Sequence, residues 1–452
     1  MRLLEIALIV TNIVVLFLPR ANRRYAAMAL IVLAVLHLFI EQSRWQMAPA
    51  YLIMALSALY FLFDLTAVRG WVGTLGAFLA IVLLLAAWGV GALFPVAQLA
   101  PLTGPHQVGS MTLQFVDQDR DEIYSAETDD KRRLVGTIWY PANVTNEPAA
   151  PFIPNADIGA KILANDFELP SFILTHVNLT KSRAYLNAPI SDGTYPVVFF
   201  SHGLGGIRGQ NTQMVEELVS QGYVVVAVDH AYAAAYTVFD DGEVVTYDRS
   251  ILAWDTPREK ETIQQLVRMW SGDLQFMLRE LDRFNADATH PLGGHLQLDQ
   301  VGAFGHSTGG GTAYEFCYRE PRCAVAIGLD PWVLPTSDEA VADGLSKPLL
   351  ILRNPEGLSE ANVARLEALY AASAEQRGHW VVNGTGHYDY NDFKQLSRAL
   401  TWIGLTGDIS ATDIRDLMDR SALTLFDAAL RGGDGSDLAR ISAEYANIQP
   451  QD

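Results

Sequence analysis

Val301-Gly302-Ala303-Phe304-Gly305-His306-Ser307-Thr308-Gly309 is the stretch whose reading decides the fold. Val301–Phe304 is a short apolar run, the mark of a buried strand. Gly310-Gly311-Thr312-Ala313-Tyr314-Glu315-Phe316 opens a helix. Between them the chain must turn sharply with Ser307 at the apex, its hydroxyl raised above the sheet edge. Gly305 and Gly309 flank the serine because a Cβ at either place would collide in so tight a strand-to-helix crossing. The Gly-x-Ser-x-Gly pattern is short and the chain holds 35 glycines, so the flanking sequence has to support it.

It does so on both sides. Pro196–Phe200 and Val224–Val228 are continuous apolar runs with a helix expected at Gln210–Gln221 between them. Later strands are expected at Cys323–Leu329, Pro348–Leu352 and Trp380–Asn383, with helices at Glu360–Ala372 and Tyr390–Leu400. Fully apolar strands alternating with helices indicate a parallel sheet covered on both faces. Two earlier strands, Met111–Val116 and Leu134–Tyr140, are joined by the polar run Asp117–Arg133. Pro151–Pro189 is irregular and partly apolar, an insertion lying against a cleft or a surface excursion. Thr256-Pro257-Arg258-Glu259 is a helix start, with Ile263, Leu266, Val267, Trp270, Leu274, Met277, Leu278 and Leu281 at helical spacing behind it. Thr412–Leu430 reads as a last amphipathic helix, and Gly432 onward is expected to fray. The fold class is α/β, a doubly wound, mostly parallel sheet of the α/β-hydrolase kind.

Four apolar stretches precede this domain: Leu3–Leu18, Tyr25–Ile40, Met47–Phe63 and Trp71–Phe94. They predict about four transmembrane helices, the first three short against the roughly 20 residues usually needed. The expected organisation is a membrane segment over 1–95, a linker over 96–110, a catalytic domain over 111–431 and a tail over 432–452. Arg20, Arg23, Arg24 and Arg69 put the first and third loops in the cytoplasm by the positive-inside rule, so the catalytic domain is expected outside. His37, inside the second stretch, is expected to be a packed neutral histidine with no acid partner in the spans.

The charge is uneven. Residues 1–104 carry six Arg and three acids, +3, and the rest of the chain −22. So acidic a domain argues against a nucleic-acid partner. The two cysteines, Cys317 and Cys323, exclude a disulfide scaffold or a Cys-rich zinc site. They are read either as one bridge in an extracytoplasmic domain or as two buried thiols. No metal cluster or cofactor motif stands out.

A nucleophilic serine needs a base, and the base an orienting acid; in this fold the chain order is Ser, acid, His. Downstream of Ser307 stand His379, at the start of an apolar strand, and His387, in the loop Asn383-Gly384-Thr385-Gly386-His387. The loop position after a strand end selects His387. Asp330 directly ends the strand after the elbow and is the expected acid; Glu356, past the next strand, is the alternative. The oxyanion would be held by the amides of Thr308 and of Leu204, in His202-Gly203-Leu204-Gly205. His202 is expected to brace that loop, His306 to be buried and structural, and Asp229-His230 to support a loop.

Several of these segments resemble the plasma-type platelet-activating-factor acetylhydrolases. They are Pro196–Gly205, Gly222–His230, Gly305–Gly310, Leu329-Asp330-Pro331-Trp332 and Gly386-His387-Tyr388-Asp389-Tyr390-Asn391-Asp392-Phe393. The resemblance covers about residues 110–400 and leaves out the apolar N-terminal segment, which the secreted members lack. It implies Asp330 as the acid, the Leu204 amide in the oxyanion hole, and an acyl site lined by Phe152-Ile153-Pro154 and the segment up to Ala188. It further implies a calcium-independent serine esterase without cofactor, cleaving short or oxidised acyl chains from phospholipids. A general carboxylesterase or polyesterase on other esters is the alternative. A non-catalytic scaffold is disfavoured by the intact set Ser307, Asp330 and His387.

Overall fold

The structure is a computed structural model that describes residues 1–19, 22–62, 71–127, 129–166, 168–252, 258–397 and 399–451. It divides into two compact units. The first takes in Met1–Gln98, Ala156–Thr180 and Gln395–Trp402, and the second holds the remainder.

The first unit contains α1 (Leu3–Phe17), α2 (Arg23–Ile40), α3 (Ala48–Leu62) and α4 (Trp71–Leu93). Leu8, Ile9, Leu30, Met47, Ala50 and Leu84 form its core. All four apolar stretches become helices, yet the expectation of four membrane spans has to be corrected. Among the described residues only Thr74–Leu93, of 20 residues and mean hydropathy 2.3, is long and apolar enough to cross a bilayer. α1 and α3 have 15 residues each, about 22 Å at 1.5 Å per residue against a hydrocarbon core of about 30 Å. Arg20 and Arg69, used for orientation, lie outside the described residues.

One end of this unit is polar inside. Arg44 donates to both Glu5 oxygens at 2.6 and 2.7 Å, and Arg2 adds a further bond at 2.8 Å. Arg44 also reaches the Phe94 carbonyl at 2.6 Å, so the start of α1 and the end of α4 meet there. The expectation that His37 has no acid partner is corrected: its Nε2 lies 3.6 Å from Glu41 and 4.0 Å from Glu5. Glu5, His37 and Glu41 hold three metal-capable atoms within 4.8 Å of one another, but the two guanidiniums already neutralise Glu5 and Glu41. The stretch read as an irregular excursion instead carries α5 (Ala156–Asp166), and Trp45 donates its indole N–H to the Ile173 carbonyl at 3.0 Å.

The second unit begins with β1 (Gln107–Asp121), β2 (Lys131–Ala142) and β3 (Ala149–Pro151), and resumes with β4 (Lys181–Leu186) and β5 (Tyr195–Ser201). Then come α6 (Thr212–Ser220), β6 (Val224–Asp229), the small hairpin β7 (Tyr236–Val238) and β8 (Val244–Thr246), and α7 (Glu259–Ala286). The start signal at Thr256-Pro257 lies outside the described residues. β9 (Leu296–His306) leads through the serine turn into α8 (Thr308–Arg319) and β10 (Cys323–Leu329). After these come α9 (Asp338–Asp343), β11 (Pro348–Arg353), α10 (Glu360–Ala372) and β12 (Glu375–Val382). The chain closes with α11 (Ala399–Trp402, part of the first unit), α12 (Ala411–Arg431), α13 (Asp437–Glu444) and β13 (Ile448–Pro450).

Among the described residues, eleven strands form one sheet in the order β13-β12-β11-β10-β9-β5-β6-β2-β1-β4-β3. From β6 to β12 every neighbouring pair is parallel. β2 on β6 and β13 on β12 are antiparallel. Alternate residues of each central strand serve two cores. Val197, Phe199, Val224 and Val226 pack with α7, α8 and α10. Val198, Phe200, Val225 and Ala227 pack with α6 and α12. Burial on both faces is why these strands are apolar without alternation. Two expectations are corrected. The tail past Gly432 is ordered: Leu438, Ile441 and Ile448 are buried, so α13 and β13 close the sheet edge. The helix expected at Tyr390–Leu400 is instead two short 3-10 turns, His387–Tyr390 and Asp392–Gln395, followed by α11. Side chains in this stretch bind loop backbone: Lys394 reaches the Gly407 carbonyl at 2.9 Å, and Asp389 accepts the Gly386 and Gly407 amides.

Candidate active site

Ser307 sits between β9 and α8 at φ 56°, ψ −122°, a positive φ that a serine adopts only under strain of order 1–3 kcal/mol. The surroundings over-determine it. Its N–H donates to the Leu329 carbonyl at 3.0 Å, and its own carbonyl accepts from Trp332 at 2.8 Å. A Cβ on Gly305 would fall 2.2 Å from the Gly309 carbonyl oxygen, and one on Gly309 would fall 2.0 Å from that of Ser201. Ser307 itself is half-buried, so its hydroxyl is reachable.

Asp330 follows β10 at φ 44° and is buried. Its Oδ2 accepts from His387 Nδ1 at 2.5 Å. Asn354 holds the carboxylate from the other side, N–H to Oδ1 at 2.9 Å and Nδ2 to Oδ2 at 2.6 Å. With Nδ1–H committed to the acid, His387 presents Nε2 as an acceptor. The alternative residues stand elsewhere. Glu356 is exposed, and its backbone N–H caps the Asn354 side chain. His379 is buried, with Nε2 accepting from Arg353 at 3.0 Å; burial pushes it down to about 4.

The loop after β5 lies against the elbow: a Cβ on Gly203 would come within 3.2 Å of Ser307 Cβ. Gly203 donates its N–H to Gln210 Oε1 at 2.8 Å. Among the described residues, the amides of Leu204 and Thr308 have no hydrogen-bond acceptor. His202 braces this loop, with Nδ1–H to the Gly203 carbonyl at 2.7 Å. Buried His306 ties elbow to histidine loop, donating from Nε2 to the His387 carbonyl at 2.9 Å while Nδ1 faces Gln210 Nε2 at 3.3 Å. Its burial pushes it well below the usual histidine range, so it is neutral.

Some supporting residues carried little signal in the sequence. Asn354 stands at the strand end where the acid was sought, but nothing in an Asn-Pro pair says it will hold a carboxylate. Asp273, buried and accepting from His230 Nδ1 at 2.8 Å beneath this loop, had one readable sign: it is an acid on the core-facing stripe of α7, between Trp270 and Met277.

The family model for platelet-activating factor acetylhydrolase, isoform II, matches residues 92–431. The chain belongs to this family. The platelet-activating factor acetylhydrolase of Cavia porcellus is 26% identical over 309 residues, 63% of this chain and 70% of that protein. That of Gallus gallus is 24% identical over 355 residues, 71% and 81% of the two chains. Among solved structures, a ferulic acid esterase from Streptomyces cinnamoneus superposes with a TM-score of 0.66 at 25% identity, over 79% of this chain and all of that one. This family member is a carboxylic ester hydrolase with an α/β-hydrolase sheet. Cys317 and Cys323, left open by the sequence, are joined as a disulfide.

Proposed function

We propose that the chain is a membrane-anchored serine esterase that removes short or oxidised acyl groups from phospholipids through an acyl-enzyme. The observation that carries this reading is the 2.5 Å Asp330–His387 bond beside a serine held at positive φ. Ser307 Oγ attacks the ester carbonyl carbon and His387 Nε2 takes its proton. The Asp330 carboxylate stabilises the imidazolium, and the Leu204 and Thr308 amides hold the oxyanion. The tetrahedral intermediate collapses, and His387 gives the proton to the leaving alcohol. Water then gives a proton to His387 and attacks the acyl carbon, releasing the carboxylic acid and restoring Ser307. These steps call on side chains and amides alone, so turnover is expected to persist in EDTA.

Anchoring is supported by the outward apolar side chains of the first unit, such as Phe39 at 83% and Phe17 at 71% exposed. The disulfide fits a catalytic domain in an oxidising, extracytoplasmic compartment. The likeness to a ferulic acid esterase favours a second reading, a general carboxylesterase or polyesterase.

The test is initial rates of the full-length protein in detergent on phosphatidylcholines that differ only in the second acyl chain, for wild type and Ser307→Ala. Rates that are highest for acetyl, fall with chain length and vanish in the variant are expected. Labelling of Ser307 by a fluorophosphonate without turnover of any phosphatidylcholine would transfer the assignment to non-phospholipid esters.

A further inference from the structure

A second Ser–His–Asp chain lies beneath the oxyanion loop, sealed from solvent. Ser201, the last residue of β5, donates its hydroxyl to His230 Nε2 at 3.0 Å. His230 Nδ1–H donates to Asp273 Oδ2 at 2.8 Å. Arg132 holds both Asp273 oxygens, at 3.1 and 2.7 Å, and Arg120 Nη2 lies 2.8 Å from Oδ1. Ser201, His230, Asp273 and Arg132 are all fully buried, so no ester reaches this serine.

The protonation pattern is fixed. Burial pushes His230 down to about 3 despite the neighbouring carboxylate, so its imidazole is neutral, with the proton on Nδ1 and the lone pair toward Ser201. Burial opposes ionisation of Asp273, but the Arg132 and Arg120 guanidiniums hold it well below the usual carboxylate range. Trp270 stacks on the His230 ring at 4.1 Å and 7° and fixes its plane, and the bonds to Ser201 and Asp273 set which nitrogen faces which partner.

The chain continues upward. The backbone N–H of His230 donates to His202 Nε2 at 3.1 Å. That forces the His202 proton onto Nδ1, which donates to the Gly203 carbonyl. The Gly203 carbonyl and the Leu204 N–H belong to one planar peptide unit and point in opposite directions. Whatever fixes the first aims the second.

We propose that Asp273, His230 and Ser201 are positioning residues, a buried relay that holds β5 and His202 so that the Leu204 amide points at the reacting oxygen. The inference rests on the oxyanion assignment given under Proposed function. The relay does no chemistry. It acts through orientation, where a misaimed donor loses much of the 10²–10³-fold that one oxyanion hydrogen bond supplies.

The test uses the full-length protein, with Ser201→Ala, Ser201→Thr and His230→Asn. The readouts are kcat, KM, melting temperature and Ki for an alkyl trifluoromethyl ketone, whose adduct with the serine places an oxyanion in the hole. Ser201→Ala and His230→Asn are expected to lower kcat about ten- to a hundredfold with KM within twofold, and to raise Ki by the factor that kcat/KM loses. Ser201→Thr, which keeps the hydroxyl, is expected to recover most of both. A purely packing role predicts a lower melting temperature with kcat and Ki unchanged, and that result overturns the proposal. Should His230→Asn not fold, Ser201→Ala, which removes a single oxygen, decides alone. Ser307→Ala is the separate control: activity surviving in it would overturn the active-site assignment on which the relay rests, a failure distinct from that of the relay alone.

Discussion

Asp330→Asn is the substitution whose outcome the geometry fixes most tightly. The shape is unchanged, but a carboxylate that only accepts becomes an amide that both accepts and donates. Asp330 now accepts three hydrogen bonds, from Asn354 N–H, Asn354 Nδ2 and His387 Nδ1. If the new amide keeps its oxygen toward the Asn354 backbone, its NH2 faces both Asn354 Nδ2 and His387. His387 then has to move its proton to Nε2, the atom that must accept from Ser307. If the amide turns over, His387 keeps its tautomer but one buried donor faces the Asn354 N–H, at about 1–3 kcal/mol. In either orientation the imidazolium formed during attack has lost its counter-charge. The expected fall in kcat is about 10³–10⁴-fold, the size seen when a catalytic triad loses its acid to the amide, or roughly 4–5 kcal/mol of barrier. The assay is kcat on p-nitrophenyl acetate beside a thermal melt, with Glu356→Gln in parallel; the latter, on an exposed side chain, is expected to stay at wild-type rate. Asp330→Asn within tenfold of wild type, together with an inactive Glu356→Gln, would refute this account of the acid.

Thr308→Val tests whether the amide or the hydroxyl of residue 308 works in the oxyanion hole. Thr308 Oγ1 is buried without a partner, so the variant is expected to melt higher, by about 1 kcal/mol of stability, with kcat unchanged; a loss of kcat would bring the hydroxyl into the hole. Asp392, through its bonds to Gln213, ties the His387 loop to α6. Burial raises it to about 7. A carboxyl raised on folding stabilises below its unfolded value near 4 and loses that contribution as pH climbs to about 7. Asp392→Asn is therefore expected to melt higher than wild type at pH 8 and no higher at pH 5, and equal differences at the two would exclude Asp392 as the titrating group. The Cys317–Cys323 bridge closes a loop with a sequence separation of 6. Its removal by Cys317→Ser with Cys323→Ser is expected to cost about 2 kcal/mol in the chain-entropy account, read as a lower melting temperature with kcat retained. An unchanged melt would mean that the bridge constrains nothing the unfolded chain loses.

What the sequence showed and what it hid follow from the range of the interactions. The elbow was legible because its chemistry is local: Gly305, Ser307 and Gly309 meet within one turn, and the strand before it is apolar on both faces. Placing Asp330 and His387 needed only chain order and strand ends, since in a parallel sheet all the strand ends face one way. Edge elements were harder. β13 pairs with β12 through three residues whose signal is no stronger than that of a tail. The Tyr390–Leu400 stretch has helical composition, but Lys394 within it and Asp389 just before it bind loop backbone instead. The relay was hidden for a stronger reason. Asp273 stands 43 residues from His230, and His230 stands 29 from Ser201. Only the packing of α7 against β5 and β6 brings them together. An acid among Trp270, Leu274 and Met277 on a core-facing stripe violates the pattern that makes the helix legible. Burying it costs free energy unless a cation and a hydrogen-bond donor meet it, and Arg132 and His230 do so. A charge on a core face is therefore the sequence's trace of an interaction it cannot otherwise display, and here that trace leads to the loop we propose as the oxyanion hole.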